Sequence, residues 1–130
     1  MIDGESDMPL PMMVLKWQSA WQSLDPETVA ALYAPDGTHM SDGVVKRMGK
    51  SDGTLCGPDE LRAYALASVA RLQSFRIDIL DVISQTGTAS GRAAVEYWRV
   101  VNGDEAGRTR VVEILEWSDD RISACRVFHF

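Results

Sequence analysis

The chain has 130 residues and a mass of 14.4 kDa, enough for one hydrophobic core and one domain. Hydrophobic residues make up 45% and charged residues 25%, a globular balance that excludes a disordered, tail-like protein. Nineteen acids against thirteen bases give a net charge of −6, which disfavours nucleic acid and anionic membrane surfaces as partners, and no apolar run approaches the roughly 20 residues of a membrane helix.

The segment Met1–Asp7 is acidic and lacks the basic flank of a secretion signal, so a cytoplasmic protein is expected. Residues 1–9 are expected to be a loose N-terminus, and residues 10–130 a single domain. Cys56 and Cys125 are too few and too far apart for a zinc knuckle or a disulfide framework; free thiols are expected, with a single disulfide left open.

From Leu10 to Leu24, the apolar residues Leu10, Val14, Trp17, Trp21 and Leu24 form one stripe of a helix. Asp25-Pro26-Glu27 starts a second helix, with Asp25 as its N-cap, Pro26 at its first position, and Val29, Leu32 and Tyr33 facing inward. Pro35-Asp36-Gly37 ends it, and Thr38–Ser41 reads as a short strand. Val44–Cys56 reads as a loop or hairpin excursion. A third helix opens at Gly57-Pro58-Asp59-Glu60 and runs to about Leu72, burying Leu61, Tyr64, Ala65, Ser68 and Leu72.

The second half reads as strands. Phe75, Ile77 and Ile79 alternate with polar residues, and Arg92–Val101 and Arg108–Trp117 form a hairpin around the loop Asn102–Gly107. Ser118-Asp119-Asp120 turns the chain into Arg121–Phe130. Helices followed by an antiparallel meander indicate an α+β architecture. Both faces of the long hairpin are apolar, one carrying Ala94, Trp98, Val100, Val111, Leu115 and Trp117, the other Val95, Tyr97, Val101, Val112 and Ile114. Three helices cover one face only, so a homodimer through the outer sheet face is expected.

The order of these elements resembles the nuclear transport factor 2-like superfamily, which includes the SnoaL-like proteins and the ketosteroid isomerases. The resemblance spans roughly residues 12–130. It rests on Trp17-Gln18-Ser19-Ala20-Trp21, Leu24–Glu27, Leu32–Thr38, Gly57–Leu61 and Glu116–Ile122. It implies a cone: a strongly curved, mixed but mostly antiparallel sheet, with the three helices of the N-terminal half capping an internal apolar pocket. It does not name a reaction, since members include isomerases, dehydratases, cyclases and proteins that only bind. The isomerase pattern itself is met at one position of three. Its tyrosine donor falls at Trp17, its base at or beside Ser41 with Asp42 next to it, and its protonated acid at Glu113. Ketosteroid isomerase activity is therefore not expected.

With Val101 set opposite Arg108, Glu96 faces Glu113 across the hairpin on the face of Trp98, Val111 and Leu115. Two carboxylates on an apolar face raise each other's pKa, and one then holds a proton near neutrality. The competing reading is an ion pair. A two-residue turn at Asp119-Asp120 sets Glu113 against Arg126, whereas a three-residue turn sets it against Cys125 and brings His129 to the same face. His39, on the strand after the second helix, is a candidate acid or base. Trp17, Trp21, Ser41, Tyr64, Trp98, Leu115, Cys125 and His129 are expected to line the pocket. Lys46, Arg47 and Lys50 read as a solvated loop, or as a lip that closes over an anionic ligand. No metal spacing is recognised, and no cofactor is expected. The expected function is a small-molecule pocket protein using cofactor-free acid–base chemistry (isomerisation, dehydration or hydrolysis) through Glu113, Glu96 and His39. A noncatalytic ligand-binding protein or a dimeric interaction module is the alternative.

Overall fold

Ten elements follow one another along residues 10–130, the part of the chain described by the computed structural model. The expectation for residues 1–9 lies outside the described residues. The elements are α1 (Met12–Gln22), α2 (Pro26–Ala30), β1 (Tyr33–Met40), α3 (Asp42–Met48), β2 (Thr54–Cys56), α4 (Pro58–Val69), β3 (Phe75–Thr86), β4 (Ser90–Val101), β5 (Thr109–Ser118) and β6 (Arg121–His129). The strands form one curved, unclosed sheet in the order β2-β1-β6-β5-β4-β3. Only β1 and β6 pair in parallel; every other neighbouring pair is antiparallel. This is the mixed α+β architecture expected from the sequence, with one helix more than the three read there.

The helix signals act locally. In α1 the residues Met13, Val14, Trp17 and Ala20 are buried, and the left-handed backbone of Leu24 (φ 57°) turns the chain out of the helix. Asp25 caps α2, its Oδ1 accepting from the Glu27 amide at 3.0 Å. That helix is shorter than its periodicity suggests, so Tyr33 begins β1 instead of ending α2, and it is fully buried there. The unexpected helix is α3, inside the stretch read as a loop. Its signals are present: Ser41 caps it by accepting from the Val44 amide, Asp42 sits in the first turn, Lys46 and Arg47 in the last, and Gly49 closes it in a left-handed conformation (φ 67°). Seven residues leave too little apolar periodicity for that helix to stand out. In α4, Leu61, Tyr64, Ala65 and Ser68 are buried as expected, while Leu72 lies beyond the helix and is only partly buried.

Strand register departs from the expectation by one residue. β4 meets β5 with Val95 opposite Glu113, Tyr97 opposite Val111 and Glu96 opposite Val112, and the last pair before the turn is Arg99 with Thr109, not Val101 with Arg108. A one-residue slip exchanges the faces of a strand. Ala93, Val95 and Tyr97 therefore join Val111, Glu113, Leu115 and Trp117 in the core, and Ala94, Glu96 and Trp98 turn outward. Between β5 and β6 the turn is the two-residue one, with Asp119 and Asp120 both at positive φ (52° and 60°), but a bulge between Glu116 and Trp117 shifts the rest of the pairing. Glu113 faces Val127 as a result, and the inner face carries Cys125 and His129.

Candidate active site

A cavity of about 340 Å³ lies between the inner sheet face and the helices. Its apolar walls come from Trp17 and Trp21 on α1, Phe75 and Ile77 on β3, Val127 on β6, and Leu72. The aromatic rings meet at angles: Trp17 stands edge-on to Tyr97 at 5.4 Å, and Trp21 lies 6.3 Å from Tyr64 and 6.5 Å from Phe75. The indoles thus build the walls without filling the space.

Glu113 is the carboxylate of this cavity. It lines the space, is only 4% exposed, and makes no ion pair among the described residues. Three neutral donors hold it. The Trp17 indole N–H donates to Oε2 at 2.8 Å, the Tyr97 hydroxyl to Oε1 at 2.8 Å, and the Cys125 thiol to Oε2 at 2.9 Å. Burial raises its pKa above the ordinary glutamate value, outweighing these bonds, which act the other way. The carboxyl is therefore predisposed to hold a proton. Burial and the adjacent Glu113 also raise the Tyr97 phenol and the Cys125 thiol.

His39 sits beside this group on β1, opposite Cys125 on β6, and is 3% exposed. Its Nδ1 shares a 2.9 Å hydrogen bond with the Tyr33 hydroxyl, and burial lowers its pKa to about 4, so the ring is neutral at physiological pH. His39, Glu113 and Cys125 bring a nitrogen, an oxygen and a sulfur within 4.8 Å of one another. These are the residues able to hold a metal ion if the thiol loses its proton. Burial opposes that loss, and the Cys125–Glu113 bond uses the same proton.

The remaining expected residues divide. Ser41 and Tyr64 line the cavity, their hydroxyl oxygens 3.3 Å apart, while Ser41 also caps α3. His129 lines the rim, at the end of β6. Leu115 is fully buried in the core and Cys125 stands behind Glu113; neither lines the space. Glu96 and Trp98 are corrections. The register turns both outward, where Glu96 pairs with Arg110 at 2.6 Å and Arg108 and Arg110 stack over the Trp98 ring. Arg126 does not reach Glu113 because it shares the outer face with Glu116, to which it donates at 2.7 Å. Cys56 and Cys125 are both free thiols.

Sequence reasoning missed Tyr97, Arg99, Arg71 and Ser68, all of which line the cavity. Tyr97 and Arg99 share the parity of Val95 on β4, so the shift of register that removed Glu96 brought them in. A signal existed: one charged residue facing solvent costs less than two carboxylates sharing an apolar face.

A family model described as the SnoaL-like domain matches residues 14–125. Comparison with curated proteins finds no match. Among solved structures, a SnoaL-like protein of unknown function from Burkholderia thailandensis E264 is similar, with 17% identity, a TM-score of 0.71, and 92% of each chain covered. A candidate polyketide cyclase from Sinorhizobium meliloti is 14% identical, with a TM-score of 0.68 over 98% of this chain and 100% of that one. A nuclear transport factor 2-like protein of unknown function from Pseudomonas putida KT2440 is 10% identical, with a TM-score of 0.74 over 89% of this chain and 80% of that one. At these identities the likeness is one of fold.

Proposed function

Because the chain belongs to the SnoaL-like domain family, within the nuclear transport factor 2-like superfamily, we propose that it is a small-molecule pocket protein that works as an acid–base enzyme. The reaction class is isomerisation, dehydration or hydrolysis of a small apolar or cyclic substrate, carried by protein side chains. One observation carries the reading: a carboxyl group faces an apolar-walled cavity, is nearly sealed from water, and is held by neutral donors with no cation from the described residues attached. The name of the Sinorhizobium neighbour, a candidate cyclase, is compatible with such a substrate.

Glu113 and Tyr97 act together in this reading. When the carboxyl is protonated, its O–H donates to the Tyr97 oxygen, and the Tyr97 O–H is released toward a substrate oxygen. Negative charge developing on that oxygen draws the phenol proton, which the Glu113 proton replaces. The phenol that the isomerase pattern places on the first helix is thus supplied from β4, and Trp17 orients the acid. His39 is neutral, and in the tautomer whose Nδ1–H donates to the Tyr33 hydroxyl oxygen its Nε2 is the proton acceptor. A noncatalytic ligand-binding role on the same scaffold is favoured by one feature, the three donors that already occupy Glu113.

The test is a carboxyl-carbon NMR titration of protein labelled at glutamate, with Glu113→Gln to assign the signal. A Glu113 resonance that titrates above the other glutamates supports the acid role. One that titrates with or below them leaves only ligand binding.

The scaffold also supports self-association. The outer face presents Ile114, Val112 and the exposed Phe128 and Ile83, between the Glu96–Arg110 and Glu116–Arg126 ion pairs. Two copies meeting there complete the homodimer expected from the sequence. Among the described residues no helix is long and apolar enough to cross a membrane.

A further inference from the structure

The chain is acidic, yet the mouth of its cavity is cationic. Lys46, Arg47, Arg71 and Arg99 all line it. Lys46 is paired with Asp42 at 2.8 Å, whereas no ion pair among the described residues engages Arg47, Arg71 or Arg99. Arg99 stacks on Phe75 at 5.4 Å, and Arg47 lies over Tyr64, to whose hydroxyl it donates weakly at 3.4 Å. Gly43 leaves the room for this, since a Cβ there would stand 2.6 Å from the Tyr64 hydroxyl and closer still to the Arg47 guanidinium.

A second observation is independent of charge. Only two buried side-chain polar atoms among the described residues lack a hydrogen-bond partner, Arg47 Nε and Ser68 Oγ, and both residues line this cavity. Buried polar groups are almost always satisfied, so the two orphans mark the wall beside this cavity as the part of the described structure whose polar bonding is incomplete. Both are donors. Ser68 follows Tyr64 by one turn on α4, so the orphans belong to the same α3–α4 side of the mouth.

We propose that the substrate of this cavity is an amphipathic carboxylate, its anionic group bound at the mouth by Arg47 and Arg99 and its apolar body lying against Trp21 and Phe75. The proposal rests on the pocket reading above and adds the substrate's charge and orientation. Arg99 follows Tyr97 by two residues on the same face of β4, which at about 3.3 Å per residue places it about 7 Å farther out. A ligand that reaches both carries its carboxylate on a rigid apolar frame the length of about two fused rings. A guanidinium matches a carboxylate with paired N–H donors, so affinity and orientation come from one contact. Burial holds Arg99 below the usual arginine range, the neighbouring Arg47 and Arg71 add a smaller push the same way, and an anion relieves that repulsion.

Two probes of equal shape test this: 2-naphthoate and its neutral amide, 2-naphthamide. Binding is measured by calorimetry and by the indole N–H NMR signals of Trp17 and Trp21. The wild type is expected to bind the carboxylate at least tenfold more tightly than the amide. Arg47→Met and Arg99→Met should each reduce that preference to about twofold or less while leaving amide affinity within about twofold. Equal binding of the two probes by wild type, with the indole signals shifting, overturns the proposal and leaves the pocket reading standing. A carboxylate preference that survives both substitutions also overturns it. If neither probe moves the indole signals, the pocket reading fails and the proposal falls with it.

Discussion

Lowering the pH should destabilise the protein through His39, and His39→Asn should remove that effect. The ring is almost fully buried, and its pKa falls from the ordinary 6.5 to about 4 because burial penalises the charged form. Above pH 6.5 the ring is neutral in both folded and unfolded chains, and its contribution to stability is complete. Between pH 6.5 and about 4 the unfolded chain takes up the proton and the folded one does not, so stability falls with pH. The interval, at about 1.4 kcal/mol per pH unit, corresponds to about 3 kcal/mol. That is a substantial part of the roughly 6–20 kcal/mol expected for a domain of this length. Asparagine keeps an amide near the Nδ1 position, within reach of the Tyr33 hydroxyl, and does not titrate. Glu113 titrates in both proteins with the opposite sign, since its raised pKa removes stability as pH rises, and the subtraction cancels it to first order. Urea unfolding followed by tryptophan fluorescence, at half-unit steps from pH 7.5 to 4, gives the two curves. Wild type should lose about 3 kcal/mol more than His39→Asn over that range. Parallel curves would show that the ring is protonated inside the fold and would refute the argument.

Other substitutions probe separate parts of the structure. Trp17→Phe removes the indole donor from Glu113 Oε2 and should move the carboxyl pKa further up, read in the same carbon titration, while costing about 1–3 kcal/mol in urea unfolding. Leu115→Ala empties a fully buried position that does not line the cavity. It should cost about 2–5 kcal/mol of stability yet leave 2-naphthoate affinity within a factor of two, measured by unfolding and calorimetry. Glu96→Gln breaks only the half-exposed pair with Arg110. It should change stability by less than about 1 kcal/mol and leave the Glu113 titration in place, a result incompatible with facing carboxylates. Ile114→Glu places a charge at the centre of the outer face, and light scattering should show the mass fall from that of two chains to that of one.

The overall order of elements was legible because its signals are local. The stripe from Val14 to Trp21, the Asp25-Pro26 start of α2 and the Gly57–Glu60 start of α4 act within one or two turns, and the structure carries each of them. Glu113, His39, Trp17, Trp21 and Tyr64 could be placed on the correct elements for the same reason, and they line the cavity together with Ser41, which caps α3 instead of ending the strand. The α3 helix escaped because its caps are clear but its apolar face is a single buried valine, Val44.

What only the tertiary structure decided is strand parity. Alternation specifies register when one face is apolar and the other polar, but β4 and β5 carry apolar residues on both, so two registers one residue apart satisfy the pattern about equally. The β4–β5 register was set at the turn, where the ladder ends with Arg99 opposite Thr109, and the β5–β6 register by the bulge at Glu116–Trp117, neither of which leaves a mark in hydrophobic periodicity. That choice separated Glu96 from Glu113, put Tyr97 beside Glu113 and Arg99 on the cavity wall, and the β5–β6 register turned Arg126 away. The residues able to do chemistry follow from composition and local pattern; which of them share a cavity follows from a one-residue difference that only the assembled sheet resolves.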